Sequence, residues 1–245
     1  MGTGSGSRII FPLRRLAHLT REEFQAYWLD VHGPLVARHA ATLGIVRYQQ
    51  VHTRQELRPT TVPCFDGVAE IWSDPAAQSP DHAAVEAAAQ ELFDDEAKFI
   101  DHAASPIWIA EEDVRLAGPT DGLRMTATLR RNPAITREQF KHHWRELHGP
   151  WALRHPEVFG FVHYVQNHTP ADADTNPLAL ARKAPPAFDG VSEIYRVPPT
   201  ASPEDVATLR AEFHEDEKNF LDIDASPVFL GEVRVIIAPT EHRQR

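Results

Sequence analysis

The sequence predicts an α+β fold: two ferredoxin-like βαββαβ units in one chain, joined as a pseudo-dimeric α+β barrel. Three observations predict it. Residues 20–53, TREEFQAYWLDVHGPLVARHAATLGIVRYQQVHT, recur at 136–169 as TREQFKHHWRELHGPWALRHPEVFGFVHYVQNHT, with about sixteen of thirty-five positions identical once Leu19 and Ile135 are included. Each copy sits in the same order of elements: strand, helix, strand, strand, helix, strand. Half of the 245 residues is enough chain to bury its own core. The halves therefore read as domains at 8–116 and 123–238, separated by the short linker Ala117 to Gly122. A sheet with helices on one face leaves the other bare, and two copies can cover each other.

Taken in order, Arg8 to Arg15 (RIIFPLRR) is the first strand, with Pro12 marking an edge or bulge. Thr20 and Glu23 have capping-box spacing, so a helix starts there. Phe24, Trp28 and His32 recur at i, i+4 and i+8 and share one face of it. Gly33-Pro34 should interrupt this helix, with Leu35 to Ala41 resuming at an angle. Gly44 ends the second piece, Ile45 to His52 is a strand, Thr53 to Cys64 a loop and Phe65 to Trp72 the next strand. Ser79-Pro80 opens an alanine-rich helix reaching about His102, with Leu92 and Phe99 on its buried side. Ile107 to Leu116 completes the unit. The second half reads Leu123 to Arg131, Thr136 to Glu157, Phe159 to His168, Phe188 to Arg196, Ser202 to Leu221 and Val228 to Ile237. Its middle loop, Thr169 to Ala187, is about seven residues longer than its counterpart and reads as a lid over a site or as a surface insertion.

Composition narrows the function classes. A net charge of -10 with no basic patch argues against nucleic acid or an anionic membrane as partner. Hydrophobic content of 42% with mixed charge is that of a soluble globular protein, and no apolar run has the length of a membrane span. Cys64 is the only cysteine, so no intrachain disulfide forms and no cysteine-based metal site is expected. The opening MGTGSGSR lacks the apolar core of a signal peptide and reads as a flexible lead-in or a vector remnant; the expected compartment is the cytoplasm.

The strand after the first helix carries the strongest chemical pattern. Alternate positions Val46, Tyr48, Gln50 and His52 recur as Val162, Tyr164, Gln166 and His168, whereas the intervening positions do not match. On the next strand Asp66, Val68 and Glu70 match Asp189, Val191 and Glu193. A register placing Tyr48 near Glu70 and His52 near Asp66 would gather a phenol, an amide, an imidazole and two carboxylates on one face. Such pairs can simply fix register. Alternatively, with His32 at the helix break, they can form an acid/base site, because imidazole is the side chain most easily tuned near neutral pH. The acidic run Asp94-Asp95-Glu96 and its counterpart Glu215-Asp216-Glu217 read as a solvated helix face. His142 and His143 beside His148 lack zinc-ligand spacing, and no phosphate loop, dinucleotide fingerprint or nucleophile elbow is present.

Together these motifs (Thr-Arg-Glu-x-Phe with Trp, His-Gly-Pro, Tyr-x-Gln-x-His, Phe-Asp-Gly-Val-x-Glu and Asp-Glu-x-x-Phe) resemble the EthD family of the dimeric α+β barrel superfamily, in both halves. The resemblance implies a pocket between sheet and helices. The family is named for a gene of a bacterial ether-degradation cluster. Its fungal relatives look like cofactor-free dehydratases or decarboxylases of aromatic polyketide pathways, and its cousins include cyclases, isomerases, cofactor-free monooxygenases and, more distantly, heme enzymes. By position, the resemblance makes His32 and His148 the acid/base candidates, with Tyr48, Tyr164, Glu70 and Glu193 beside them. Phe24, Trp28, Gln50, His52, Phe140, Trp144, Gln166 and His168 would form the substrate-binding walls. The resulting expectation is a cofactor-independent lyase or isomerase without a metal, dehydrating, decarboxylating or cyclising a hydrophobic cyclic oxygenated metabolite. The alternatives are a non-catalytic binding protein for such a metabolite, a cofactor-free monooxygenase, or a heme or flavin protein. The chain would be a monomer with an internal pseudo-twofold, or a homodimer of it.

Overall fold

Thr20 and Thr136 each start a helix. Their hydroxyls accept from the backbone N–H of Glu23 (3.1 Å) and Gln139 (3.2 Å), whose side chains in turn accept from the cap N–H. In the computed structural model, which describes residues 7–239, the first half runs β1 (Ser7–Leu13), α1 (Arg21–Tyr27), a π turn (Trp28–His32), α2 (Gly33–Leu43), β2 (Ile45–Glu56), β3 (Gly67–Ser73), α3 (His82–Glu96) and β4 (Trp108–Leu116). The second half runs β5 (Arg124–Leu129), α4 (Arg137–His142), a π turn (His143–His148), α5 (Gly149–Leu153), α6 (Pro156–Phe159), β6 (Phe161–His168), α7 (Pro177–Arg182), β7 (Gly190–Arg196), α8 (Pro203–Phe220) and β8 (Val228–Ile237). The Gly/Ser-rich opening lies outside the described residues. Among those described, no helix is long and apolar enough to cross a membrane.

The eight strands close into one antiparallel barrel in the order β1-β3-β2-β8-β5-β7-β6-β4. Each half supplies four neighbouring strands, and the halves meet along β2–β8 and β4–β6. Closure leaves no unpaired sheet edge. The bare faces of the two sheets turn inward onto an apolar plug that includes Ile10, Val51, Val68, Trp108, Val191 and Phe229. The helices pack outside, where Phe24, Trp28 and Val36 meet Phe11, Leu13, Tyr48 and Ala69. The closed α+β barrel is thus the architecture expected.

Two local expectations are corrected. Gly33-Pro34 does not break the helix: His32 (φ -69°, ψ -38°) and Gly33 (φ -55°, ψ -54°) stay right-handed helical. The chain instead inserts a π turn in which the Gly33 N–H donates to the Trp28 carbonyl, and Pro34 falls in the first turn of α2. The β2–β3 register is also displaced by one residue. Gln49 faces Glu70, Tyr48 faces Ile71 and His52 faces Gly67. A one-residue slip moves every side chain to the opposite face. Tyr48, Gln50 and His52 therefore face the helices, while Glu70 points into the barrel. Alternation could not reveal this, because both faces of β2 are buried from Tyr48 to Thr53.

Candidate active site

A cavity of about 710 Å³ lies between the outer face of β1, β2 and β3 and the helices of the first half. Ile9, Phe11, Ile45, Ile71 and Leu92 give it an apolar wall, and His32, Tyr48, Glu96 and Arg182 bring polar atoms to it. The π turn aims His32 at this space. Its Nδ1 lies 2.9 Å from Asp95 Oδ2, and both residues are buried. Asp95 also accepts from the Tyr27 hydroxyl (2.7 Å) and Lys98 Nζ (3.0 Å). Burial pushes the Asp95 carboxyl up, but the hydrogen bonds from Tyr27, His32 and Lys98 outweigh it and hold the group below its ordinary value. An ionised carboxylate only accepts, so Nδ1 carries the imidazole proton and Nε2 is left as the basic nitrogen.

Tyr48 is set up as a donor. Its oxygen accepts from Trp28 Nε1 (2.9 Å) and from Gln50 Nε2 (3.0 Å). With both lone pairs engaged, its own O–H is left to donate, and Tyr48 lines the cavity. Burial pushes its ionisation far above the ordinary range, so the proton stays on the phenol. Gln50 also donates to the Trp28 carbonyl (2.8 Å), while its Oε1 lies 2.8 Å from His52 Nε2. His52 stacks on Trp28 with centroids 4.7 Å apart, and Gly67 lets the indole lie against β3, since a Cβ there would sit 2.5 Å from it. These residues orient Trp28 and Tyr48 from behind.

Another part of the cavity wall is charged. Glu96 lies 3.0 Å from His102 Nε2 and receives two bonds from Arg182, both 2.8 Å. Arg182 belongs to α7, in the long loop of the second half. That loop is a lid, over the other half's pocket: Leu178, Ala181 and Arg182 line it.

The second half repeats the polar frame and fills the space. His148 Nδ1 lies 2.7 Å from Asp216 Oδ2, and the Tyr164 hydroxyl accepts from Trp144 (2.9 Å) and Gln166 (2.7 Å). Burial pushes the Tyr164 phenol up to about 12. Phe213, however, stands where the first half has Leu92, and Phe161 where it has Ile45. A chain of ring contacts runs from His148 through Phe213 (3.9 Å between centroids), Phe159 (4.7 Å) and Phe161 (5.7 Å) to Tyr164 (5.6 Å).

The structure thus brings His32, Tyr48 and Trp28 together at one pocket, and places other candidates elsewhere. Phe24 packs behind Trp28 and Phe99, and Phe140 behind Trp144 and Phe220. His168, within 3.1 Å of Gln166, repeats the backing role of His52. Glu70 and Glu193 lie inside the barrel, away from the cavity. There Arg124 bonds Glu70 (2.6 Å) and Glu193 (2.7 Å), Arg8 contacts both, and Gln49 donates to Glu70. The Tyr48–Glu70 and His52–Asp66 pairings do not form; Asp66 binds Arg15 (2.6 Å) and Arg21 (3.0 Å) instead. Asp95 and Glu96 are the residues that the acidic-run reading missed. Only Asp94 of that run is exposed, since Asp95 and Glu96 fall between Leu92 and Phe99 at helical spacing. Among the described residues, no group of three or more His, Cys, Asp or Glu is placed to hold a metal ion.

The EthD domain model matches residues 16–103 and 132–224. No protein of curated function matches the chain. Among solved structures, a chlorite dismutase variant from Candidatus Nitrospira defluvii is similar at TM-score 0.48 and 11% identity, over 96% of this chain and 93% of that one. A presumptive monooxygenase from Lactobacillus acidophilus is similar at TM-score 0.46 and 10% identity, over 94% and 95%.

Proposed function

The chain belongs to the EthD family, and on that premise we propose that it is a cofactor-independent lyase or isomerase with one working site, the pocket of the first half. Each half is then a ferredoxin-like unit, a reading supported by the strand order β4-β1-β3-β2 and its repeat β8-β5-β7-β6. The observation that carries the function is the placement of a carboxylate-held imidazole, His32, and a phenol with its proton free, Tyr48, on one apolar cavity.

The substrate is a hydrophobic ring compound bearing oxygen. His32 Nε2 takes a proton from the carbon next to a carbonyl, and the electron pair moves onto the carbonyl oxygen, which accepts from the Tyr48 O–H. In a dehydration, the imidazolium returns that proton to a hydroxyl on the adjacent carbon. Water leaves and a carbon–carbon double bond remains. Asp95 holds the tautomer throughout and stabilises the imidazolium. The same two groups support isomerisation if the proton is returned to a different carbon. Apolar walls exclude water, which strengthens both interactions.

The asymmetry of the halves makes the test specific. His32→Ala should lower turnover by on the order of 10²- to 10⁴-fold, while His148→Ala, whose ring is covered by Phe213, should leave it within about twofold. Equal losses from the two substitutions would rule out a single first-half site; no loss from His32→Ala would rule out the histidine mechanism.

A further inference from the structure

Arg182, with Leu178 and Ala181 of the same helix, is remote in sequence from the rest of the pocket, and only the closed barrel brings it there. Its Nε and one terminal nitrogen each lie 2.8 Å from a different oxygen of Glu96. Its guanidinium sits 5.5 Å from the rings of Phe11 and Phe93, so its plane is held between α3 and β1. Asn176 caps α7 by accepting from the Ala179 N–H (3.0 Å), and Ala179, Leu178 and Ala184 pack into the apolar cluster of the first half.

A carboxylate offers about four acceptor positions. Arg182 and His102 take two on Oε2 and one on Oε1, which leaves one on Oε1, and Glu96 lines the cavity. We infer that Arg182 is a specificity-determining and positioning residue supplied by the second half, which fixes Glu96 as a hydrogen-bond acceptor for a hydroxyl on the ligand while seating α7 as the pocket's wall. The inference rests on the pocket being the substrate site. It adds to that reading a substrate class, ring compounds with a hydroxyl on the side facing α7. It also makes the site incomplete without the second half.

The charge state of Glu96 supports this role. Burial pushes its carboxyl up, and the hydrogen bonds from His102 and Arg182 overcome that and hold it below the ordinary value. The groups around it are His102 in the segment after α3, Arg182 on α7, His32 on the π turn and Tyr48 on β2, while β1 contributes the apolar Phe11. With Arg182 removed, burial is opposed only by the hydrogen bond from His102 and the weaker influence of His32. The carboxyl should then take up a proton as the pH falls and cease to be a full acceptor.

Binding tests this without a known substrate. The neutral fluorophore N-phenylnaphthylamine reports occupancy of the cavity and is displaced by naphthol, which carries a hydroxyl, or by methoxynaphthalene, which does not. The wild-type protein should prefer naphthol by on the order of tenfold, with little change between about pH 5 and about pH 8. Arg182→Met should reduce the preference to about twofold at the acid end and restore part of it as pH rises. Arg182→Lys, which keeps the charge, should retain most of the preference. Leu178→Ala should weaken both ligands equally at every pH, as loss of wall alone does. If Arg182→Met also weakens both equally with no pH dependence, the proposed role of Arg182 is overturned while the pocket stands. If N-phenylnaphthylamine does not bind the wild-type protein, the pocket reading falls first and this inference with it.

Discussion

His52 and His168 stand behind the tyrosines, and their burial makes them a liability in acid. Burial, with Arg54 and Arg234 near His52 and Lys141 near His168, pushes both imidazoles down to about 4 from the model-compound value of 6.5. Nε2 donates to the side-chain oxygen of Gln50 or Gln166, and burial, not that bond, favours the neutral ring. Between about pH 6.5 and about pH 4 the unfolded chain binds protons that the native state refuses, so this contribution is intact above the upper value and lost as pH falls. The two histidines together should cost on the order of 5 kcal/mol by pH 4. Melting temperatures measured across that window should fall more steeply for the wild type than for a His52→Gln, His168→Gln double variant. Parallel curves would show that these rings do not titrate as their surroundings imply.

At the scale of the element, the α–π–α helix ties both glycines of His-Gly-Pro to the strand beneath. A Cβ on Gly149 would lie 2.6 Å from Gln166 Nε2 and 3.1 Å from the Trp144 carbonyl, whereas on Gly33 the nearest atom, Gln50 Nε2, is 3.3 Å away. Gly149→Ala should therefore destabilise by about 1 to 3 kcal/mol and Gly33→Ala by less than about 1 kcal/mol, a difference that denaturant titration resolves. The starts of α1, α4 and α8 and the span of β8 were legible in the sequence, because caps and strand patterns are local signals. The π turn was not, since Gly-Pro equally suits a break. Nor was the β2–β3 register, because two buried faces look alike in polarity. Asp95 and Glu96 were within reach, as their spacing from Leu92 and Phe99 outranks their charge. Phe213 in place of Leu92 was also there to be read once the copies were aligned. Arg182 left no local trace, because its partner is 86 positions away in the other half.

For the whole molecule, the halves depend on each other at the barrel centre as well as along the two strand seams. Arg8 and Glu70 from the first half interlock with Arg124 and Glu193 from the second, all nearly fully buried. Burial favours protonation of Glu70, and Arg124 and Arg8 override it, so the Glu70 carboxyl is held below its ordinary value. Removing one cation leaves a buried carboxylate under-compensated, so Arg124→Met should destabilise by about 3 to 5 kcal/mol. Because the cluster and both seams span the halves, that variant should still unfold in one transition, with near- and far-ultraviolet dichroism changing together. Two separated transitions would mean that the halves are thermodynamically independent.

The crossing of α7 from one half onto the other's pocket divides that pocket's wall between two distant stretches of sequence. On the proposed reading, the residues touching the reacting atoms come from the first half, and part of the wall around the ligand, Leu178, Ala181 and Arg182, comes from the second. On that reading, residence time and chemical rate draw on different stretches of sequence. Leu180, exposed on the outer side of α7 and outside the cavity lining, is a position where that helix can be altered while the proposed reacting groups stay as they are.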